Sequence, residues 1–354
     1  MCTSIKLQAN GCYFGRNLDL EYEFGERVVL TPRNYRFPFR RMEARRAQYA
    51  MIGMATVADG YPLYAEAMNE KGLYIAGLNF PGNAYYAEES AENYDNLSPF
   101  ELIPWLLSQC GTVSEAEPLL RRLHLVAINF RADMPLTPLH WHIADRECSI
   151  VLEAMRDGIH IYDNPTDVLT NNPPFDFQMT NLRQYMGLSA AQPDKHFSST
   201  LQLSPFGQGF GALGLPGDFS PASRFVKAVF LRANSVATSK IDAALYVETP
   251  VGTNASSNNQ TAAPTVTAGE ANSVSQFFHL LNAVAMVRGA VLTPEGKYDI
   301  TTYSCCISAD TRTFYYTTYG NQQISAVCMD HEKLNGSELL EYPLIRELQV
   351  RFQN

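Results

Sequence analysis

At 354 residues, with 46% hydrophobic and 18% charged side chains and no shift in composition to mark a boundary, the chain is expected to form a single domain over residues 1–354. A formal net charge of −9 argues against nucleic acid as a partner, because phosphate binding draws on a basic surface. No apolar run approaches the roughly 20 residues needed to cross a bilayer, and MCTSIKLQAN lacks the basic and apolar regions of a secretory leader, so a cytoplasmic protein without a membrane partner is expected.

The first elements are β. Residues from Thr3 to Gln8 and from Tyr13 to Leu18 alternate around Asn10-Gly11, a strong hairpin signal, so the chain should open on two antiparallel strands. Ser98-Pro99 with Glu101 supplies a helix N-cap, a proline at the first helical position and a capping-box partner, and Pro104 should kink the helix that follows. Leu139 to Ala144, Ser149 to Ala154, Ile159 to Tyr162 and Asp167 to Thr170 form a run of β-rich segments parted by short polar turns.

Ser220-Pro221 opens a helix through about Ala233. The stretch from Thr253 to Asn272 is rich in small and polar residues and reads as a mobile surface insertion; its Asn254-Ala255-Ser256 glycosylation pattern is set aside for want of a secretory route. Ser273 with Gln276 should open a third helix, with Phe277, Leu280, Leu281, Val284 and Val287 at helical spacing before Gly289 stops it. Tyr303 to Ile307, Thr313 to Thr318 and Ile324 to Met329 are a last set of strands. Antiparallel meanders with segregated helices read as α+β.

Seven cysteines, Cys2, Cys12, Cys110, Cys148, Cys305, Cys306 and Cys328, form an odd set without C-x-x-C spacing, which indicates neither a disulfide framework nor a zinc knuckle. Cys2 stands apart. Removal of Met1 leaves a residue with both a thiol and an α-amine, groups that titrate near about 8.5 and about 8 in model compounds, so nucleophile and base share one residue and no histidine is required. His140 and His142 flank Trp141 on a strand, but without clustered acidic partners they are read as structural, and neither a metal nor an organic cofactor is expected.

Taken singly, the other candidates have ordinary structural readings. Arg16 and Asp19 fit a salt bridge after a strand, Asn79 and Asn171 fit turns, and Arg224 fits a solvated helix position. Five blocks in order change this: CTSIKLQANGCYFGRNLDLEYEF, NEKGLYIAGLNFPG, DVLTNNPPFDF, ALGLPGDFSPASRF and FHLLNAVAMVRG. Together they resemble the choloylglycine hydrolase family of the N-terminal nucleophile superfamily, from Cys2 to the last strands, with Thr253 to Asn272 the main departure.

The resemblance implies a four-layer αββα sandwich of two antiparallel sheets. It also implies that the Cys2 thiolate attacks an amide carbonyl, with Arg16 beside the thiol and Asp19 accepting hydrogen bonds from the α-amine. The oxyanion hole would use the backbone N–H of Asn79 and the side-chain amide of Asn171, with Arg224 close to charge developing in the transition state. Leu18, Ala58, Phe130 and Met134 would line an apolar pocket for a steroid. A loop near 182–211 would join four chains into a homotetramer.

The substrates implied are glycine- or taurine-conjugated bile acids, cleaved at the C24 amide, with transfer of the acyl group to amino acids as a further expectation. Two alternatives stand beside this. One is a penicillin V acylase, disfavoured because relatives that prefer penicillin commonly carry tyrosine where this chain has Asn79. The other is a catalytically silent steroid-conjugate binding protein, the expected outcome if Met1 is retained. Glycine versus taurine preference rests on contacts around Gly209 to Gly217 and stays open.

Overall fold

The computed structural model describes residues 1–194, 197–237 and 266–354. In chain order, β1 (Cys2–Ala9) and β2 (Gly11–Leu20) form the expected hairpin, with Ala9 opposite Gly11 across Asn10. They are followed by β3 (Arg27–Thr31), two short strands β4 (Arg36–Phe37) and β5 (Arg45–Arg46), then β6 (Met51–Ala58), β7 (Tyr61–Asn69), β8 (Tyr74–Asn79) and β9 (Asp95–Leu97). Next come α1 (Leu102–Leu107), α2 (Val113–Leu120), β10 (Leu123–Leu125), and the meander β11 (Leu139–Ala144), β12 (Ser149–Met155), β13 (Gly158–Asp163) and β14 (Val168–Leu169). The remainder is α3 (Phe175–Leu182), α4 (Pro221–Ala233), α5 (Ala268–Asn282), β15 (Ile300–Ser308), β16 (Thr313–Thr318), β17 (Ser325–Cys328) and β18 (Leu340–Pro343).

Two large sheets result. One has the order β14-β1-β2-β15-β16-β17 and the other β13-β12-β11-β8-β7-β6-β3-β18, and neighbouring strands in both are antiparallel. Strands β1 and β2 face β8 of the second sheet; α4 and α5 cover the outer face of the first, and α1 covers β7 and β8 on the outer face of the second. This is the αββα arrangement of the α+β class.

Side chains alternate along β2 as a strand between two layers requires. Phe14 stacks on Tyr74 of β8, with ring centroids 5.2 Å apart, while the neighbouring Gly15 lies under Phe277 of α5. A Cβ at Gly15 would come within 1.9 Å of the Cys305 carbonyl oxygen and 2.9 Å of the Phe277 ring, so only glycine lets helix and sheet approach this closely. A second apolar cluster, including Trp105, Leu106, Ile75 and Trp141, fills the space beneath α1 and α2.

Several local expectations need correction. Pro104 does not kink a longer helix: a 3-10 turn at Pro99–Glu101 leads into α1, and Pro104 occupies its first turn, where a missing N–H has no helical partner to lose. The third helix starts before Ser273, because Thr267 caps α5 by accepting a hydrogen bond from Glu270 N at 3.3 Å. Its end is Asn282, so Val284 and Val287 lie beyond it.

The stretch read as an insertion from Thr253 to Asn272 therefore contributes its last residues to α5, while 253–265 lie outside the described residues. Strands β3, β6, β7 and β8 had not been anticipated. One signal was available: Asp59-Gly60 joins β6 to β7 with φ of 51° and 73°, the backbone of a primed hairpin turn. No helix among the described residues is long and apolar enough to cross a membrane.

Candidate active site

The hairpin register builds the first half of the site. Cys2 pairs with Leu18 and Ser4 with Arg16, so Cys2 and Arg16 are diagonal neighbours on one face. Nη2 of Arg16 donates to Sγ of Cys2, and its Nη1 donates to the carbonyls of Gly77 and, at 3.2 Å, of Ala65. The guanidinium is fully buried, and Glu66 lies 3.7 Å away on the opposite sheet. A one-residue slip of β2 would turn Arg16 to the other face.

The second half comes from β14 and α4. Strand β14 pairs with β1 through Ser4 opposite Leu169, and continuing that register by two residues brings Asn171 level with Cys2. Asn171 Oδ1 accepts from Cys2 N at 2.8 Å and from Arg224 Nη2 at 2.8 Å. Its Nδ2 donates to the Asn79 carbonyl at 2.7 Å, so the two asparagines meet through that bond.

Arg224 is not the solvated residue its helical position suggests. It sits in the first turn of α4, capped by Ser220, yet is 1% exposed; Nη1 donates to the Cys2 carbonyl and, at 2.6 Å, to Thr3 Oγ1, and Nε donates to the Phe219 carbonyl at 3.0 Å.

Asp19 closes the cluster. Its Oδ1 accepts from Thr301 Oγ1 at 2.6 Å, and its carbonyl accepts from the Met1 ammonium, which also lies 3.3 Å from Asp299. Asp19 Oδ2 is buried without a hydrogen-bond partner. Burial raises the Asp19 carboxyl above its usual value, against the pull of Arg224, the terminal ammonium and Thr301.

Thus Cys2, Arg16, Asp19, Asn79, Asn171 and Arg224 converge. The four apolar candidates do so less completely. Leu18 is buried opposite Cys2. Phe130 packs in an aromatic group with Tyr61 and Phe100, at centroid distances of 5.7 and 5.3 Å. Ala58 ends β6 and Met134 turns back on Arg131; both are half-buried, and Arg131 reaches Asp59 at 3.5 Å, tying these two loops together.

Sequence reasoning passed over Glu66, Thr301 and Tyr303. Glu66 Oε2 accepts from Tyr303 OH at 2.7 Å behind Arg16. Its sequence signal was a lone carboxylate inside the apolar strand YPLYAEAMN. Among the described residues no group of three or more His, Cys, Asp or Glu is arranged to hold a metal.

Relatives share this architecture. The family described as linear amide C–N hydrolases, choloylglycine hydrolase family, matches residues 2–247 and 258–342. The break at 248–257 overlaps the start of the stretch identified above as the main departure. A bile salt hydrolase/transferase of Lactiplantibacillus plantarum is 45% identical over 349 residues, covering 99% of this chain and 98% of that one.

The crystal structure of a conjugated bile acid hydrolase from Clostridium perfringens superposes with a TM-score of 0.84 at 36% identity over 100% of both chains. A penicillin V acylase from Agrobacterium tumefaciens shares the fold, with a TM-score of 0.68 at 16% identity over 96% of this chain and 90% of that one. The chain belongs to the choloylglycine hydrolase family. It is a linear amide C–N hydrolase.

Proposed function

We propose that this enzyme hydrolyses the amide joining a bile acid to glycine or taurine, with Cys2 as nucleophile once Met1 is removed. The carrying observation is the Arg16 guanidinium donating to Cys2 Sγ while Asn171 holds Cys2 N. The names of relatives that are 34–45% identical across nearly the whole chain support the substrate class.

In the proposed reaction the Cys2 sulfur attacks the amide carbonyl carbon, and the C=O π pair moves onto oxygen to give a tetrahedral oxyanion while the amide nitrogen regains its lone pair. Arg16, a buried charge-assisted donor, stabilises negative charge on sulfur before attack. Asn171 spends one Nδ2 hydrogen on Asn79 and offers its second to the oxyanion, together with the backbone N–H of Asn79. Collapse breaks the C–N bond, and the amino acid leaves with a proton from the Cys2 ammonium.

A water then attacks the thioester, giving its proton back to the Cys2 amine and releasing the bile acid and the thiolate. The unpartnered Asp19 Oδ2 supplies a negative charge to orient that ammonium after Met1 departs. An amino acid amine in place of water yields acyl transfer.

The test is intact-mass analysis with hydrolysis of glycocholate and taurocholate by the wild type and Cys2→Ser. Loss of the Met1 mass with amino acid release that falls at least about 100-fold in the variant is expected. Wild-type protein without Met1 that is inert on both conjugates and turns over penicillin V would instead favour the acylase reading. Adding phenylalanine should divert part of the product to an acylated amino acid; free cholate alone refutes transfer.

A further inference from the structure

His140 and Glu153 take no part in the reaction above, yet both are fully buried against the segments that carry the oxyanion-hole asparagines. His140 Nδ1 lies 3.0 Å from Glu153 Oε1, and Nε2 lies 2.9 Å from the Thr170 carbonyl oxygen. A carbonyl oxygen can only accept, so His140 Nε2 carries a proton and donates to Thr170, which leaves Nδ1 against Glu153.

His142, two residues along the same strand, is the contrast. Its nitrogens face the hydroxyls of Ser4 at 2.9 Å and Ser149 at 2.8 Å, which can each donate or accept, so either tautomer suffices.

The pair reaches both asparagines. Thr170 precedes Asn171, and Glu153 Oε1 also accepts from Phe175 N at 3.1 Å, so the two side chains grip the segment 170–175 at both ends. The His140 ring lies flat on Phe80, with centroids 4.3 Å apart and planes 5° apart, and Phe80 follows Asn79. The Phe80 N–H is fixed in turn to the Pro138 carbonyl at 2.7 Å. Among the described residues His140 is the sole basic side chain within 4.0 Å of Glu153.

We propose that His140, held between Glu153 and the Thr170 carbonyl, is a positioning residue that keeps the donors of Asn79 and Asn171 aimed at one oxyanion. This rests on the oxyanion-hole role assigned to those asparagines above, and the experiment separates the two.

His140→Phe retains a ring against Phe80 and removes both ring nitrogens. On glycocholate its kcat should fall about tenfold or more with KM within about twofold. Because the residue acts through Asn171, adding His140→Phe to Asn171→Ala should cost little beyond Asn171→Ala alone. Full kcat in His140→Phe, or the same fold-loss in both backgrounds, overturns the proposal. If Asn171→Ala itself keeps full kcat, the oxyanion reading falls and this inference with it.

A second variant guards against one that fails to fold. His140→Gln can keep an N–H donor for the Thr170 carbonyl, so its kcat should lie above that of His140→Phe. Equal losses in the two variants overturn the proposal.

Discussion

Glu66 is enclosed between the two sheets, where it meets Tyr303 and Arg16. Burial pushes its carboxyl from 4.5 up to about 7, against the pull of Arg16 and the Tyr303 hydroxyl. An acid whose folded value is raised binds a proton in the folded state that the unfolded chain has already released, so its contribution to stability is complete below about 4.5 and is lost as pH rises through about 7. The urea midpoint of wild-type protein should therefore carry a downward component between about pH 5 and pH 8 that is absent in Glu66→Gln. Parallel pH profiles for the two proteins would show that Glu66 does not titrate in this window.

The same residue illustrates what could be read in advance. Cys2 is legible from its own chemistry beside a removable Met1, whereas Arg16 and Asp19 on the same hairpin fit a plain salt bridge until the resemblance gives them roles. Asn79, Asn171 and Arg224 have local chemistry that fits a turn or a helix surface, and it was resemblance, not spacing, that drew them out. Glu66 and Thr301 meet side chains 237 and 282 residues away, so nothing near them in sequence shows what they face, whereas Glu153 meets His140, 13 residues before it on the adjoining strand.

At the scale of elements, strands β11, β12 and β16 and helix α4 match their expected bounds closely, since each has a clear alternation or a Ser-Pro start. Strands β6 and β8 are mostly buried on both faces and carry Gly, Ala and Met, so the period that marks a half-exposed strand is missing from them. The α5 start was hidden because its first turn, AGEAN, reads as part of a polar insertion until Thr267 is seen to cap it.

Packing leaves no room for a side chain at Gly15, where β2 meets β15 and α5. Gly15→Ala should cost roughly 1–3 kcal/mol or more, because backbone as well as the Phe277 ring must move. Gly187, with open space around it, is the matched control. Thermal unfolding that shows equal midpoints for Gly15→Ala and Gly187→Ala would refute this account of the layer contact.

At the scale of the whole molecule, the region near 182–211 carries large apolar side chains in solvent: Met186, Phe197, Leu201, Leu203 and Phe206, the last 94% exposed. Residues 195–196 lie outside the described set. Phe206 does meet Phe210 edge to face, at 4.7 Å between centroids, but most of its surface stays open. A homotetramer is the assembly we propose to cover it, and light scattering should give a mass of about four chains, lowered in Phe206→Asp. A monomeric wild type would leave this surface for another partner.

The contacts at the nucleophile have a consequence for how the molecule is made. Arg224 reaches Cys2 across 222 residues and Asn171 reaches it across 169, while Asn79 is tied to Asn171 across 92. No fragment shorter than residues 2–224 contains the reacting constellation, and a growing polypeptide that has not passed α4 lacks its second arginine. Turnover is thus a late signal of folding: during renaturation it should emerge after the signals of strands and helices, marking the moment at which distant parts of the chain have closed on its first residues.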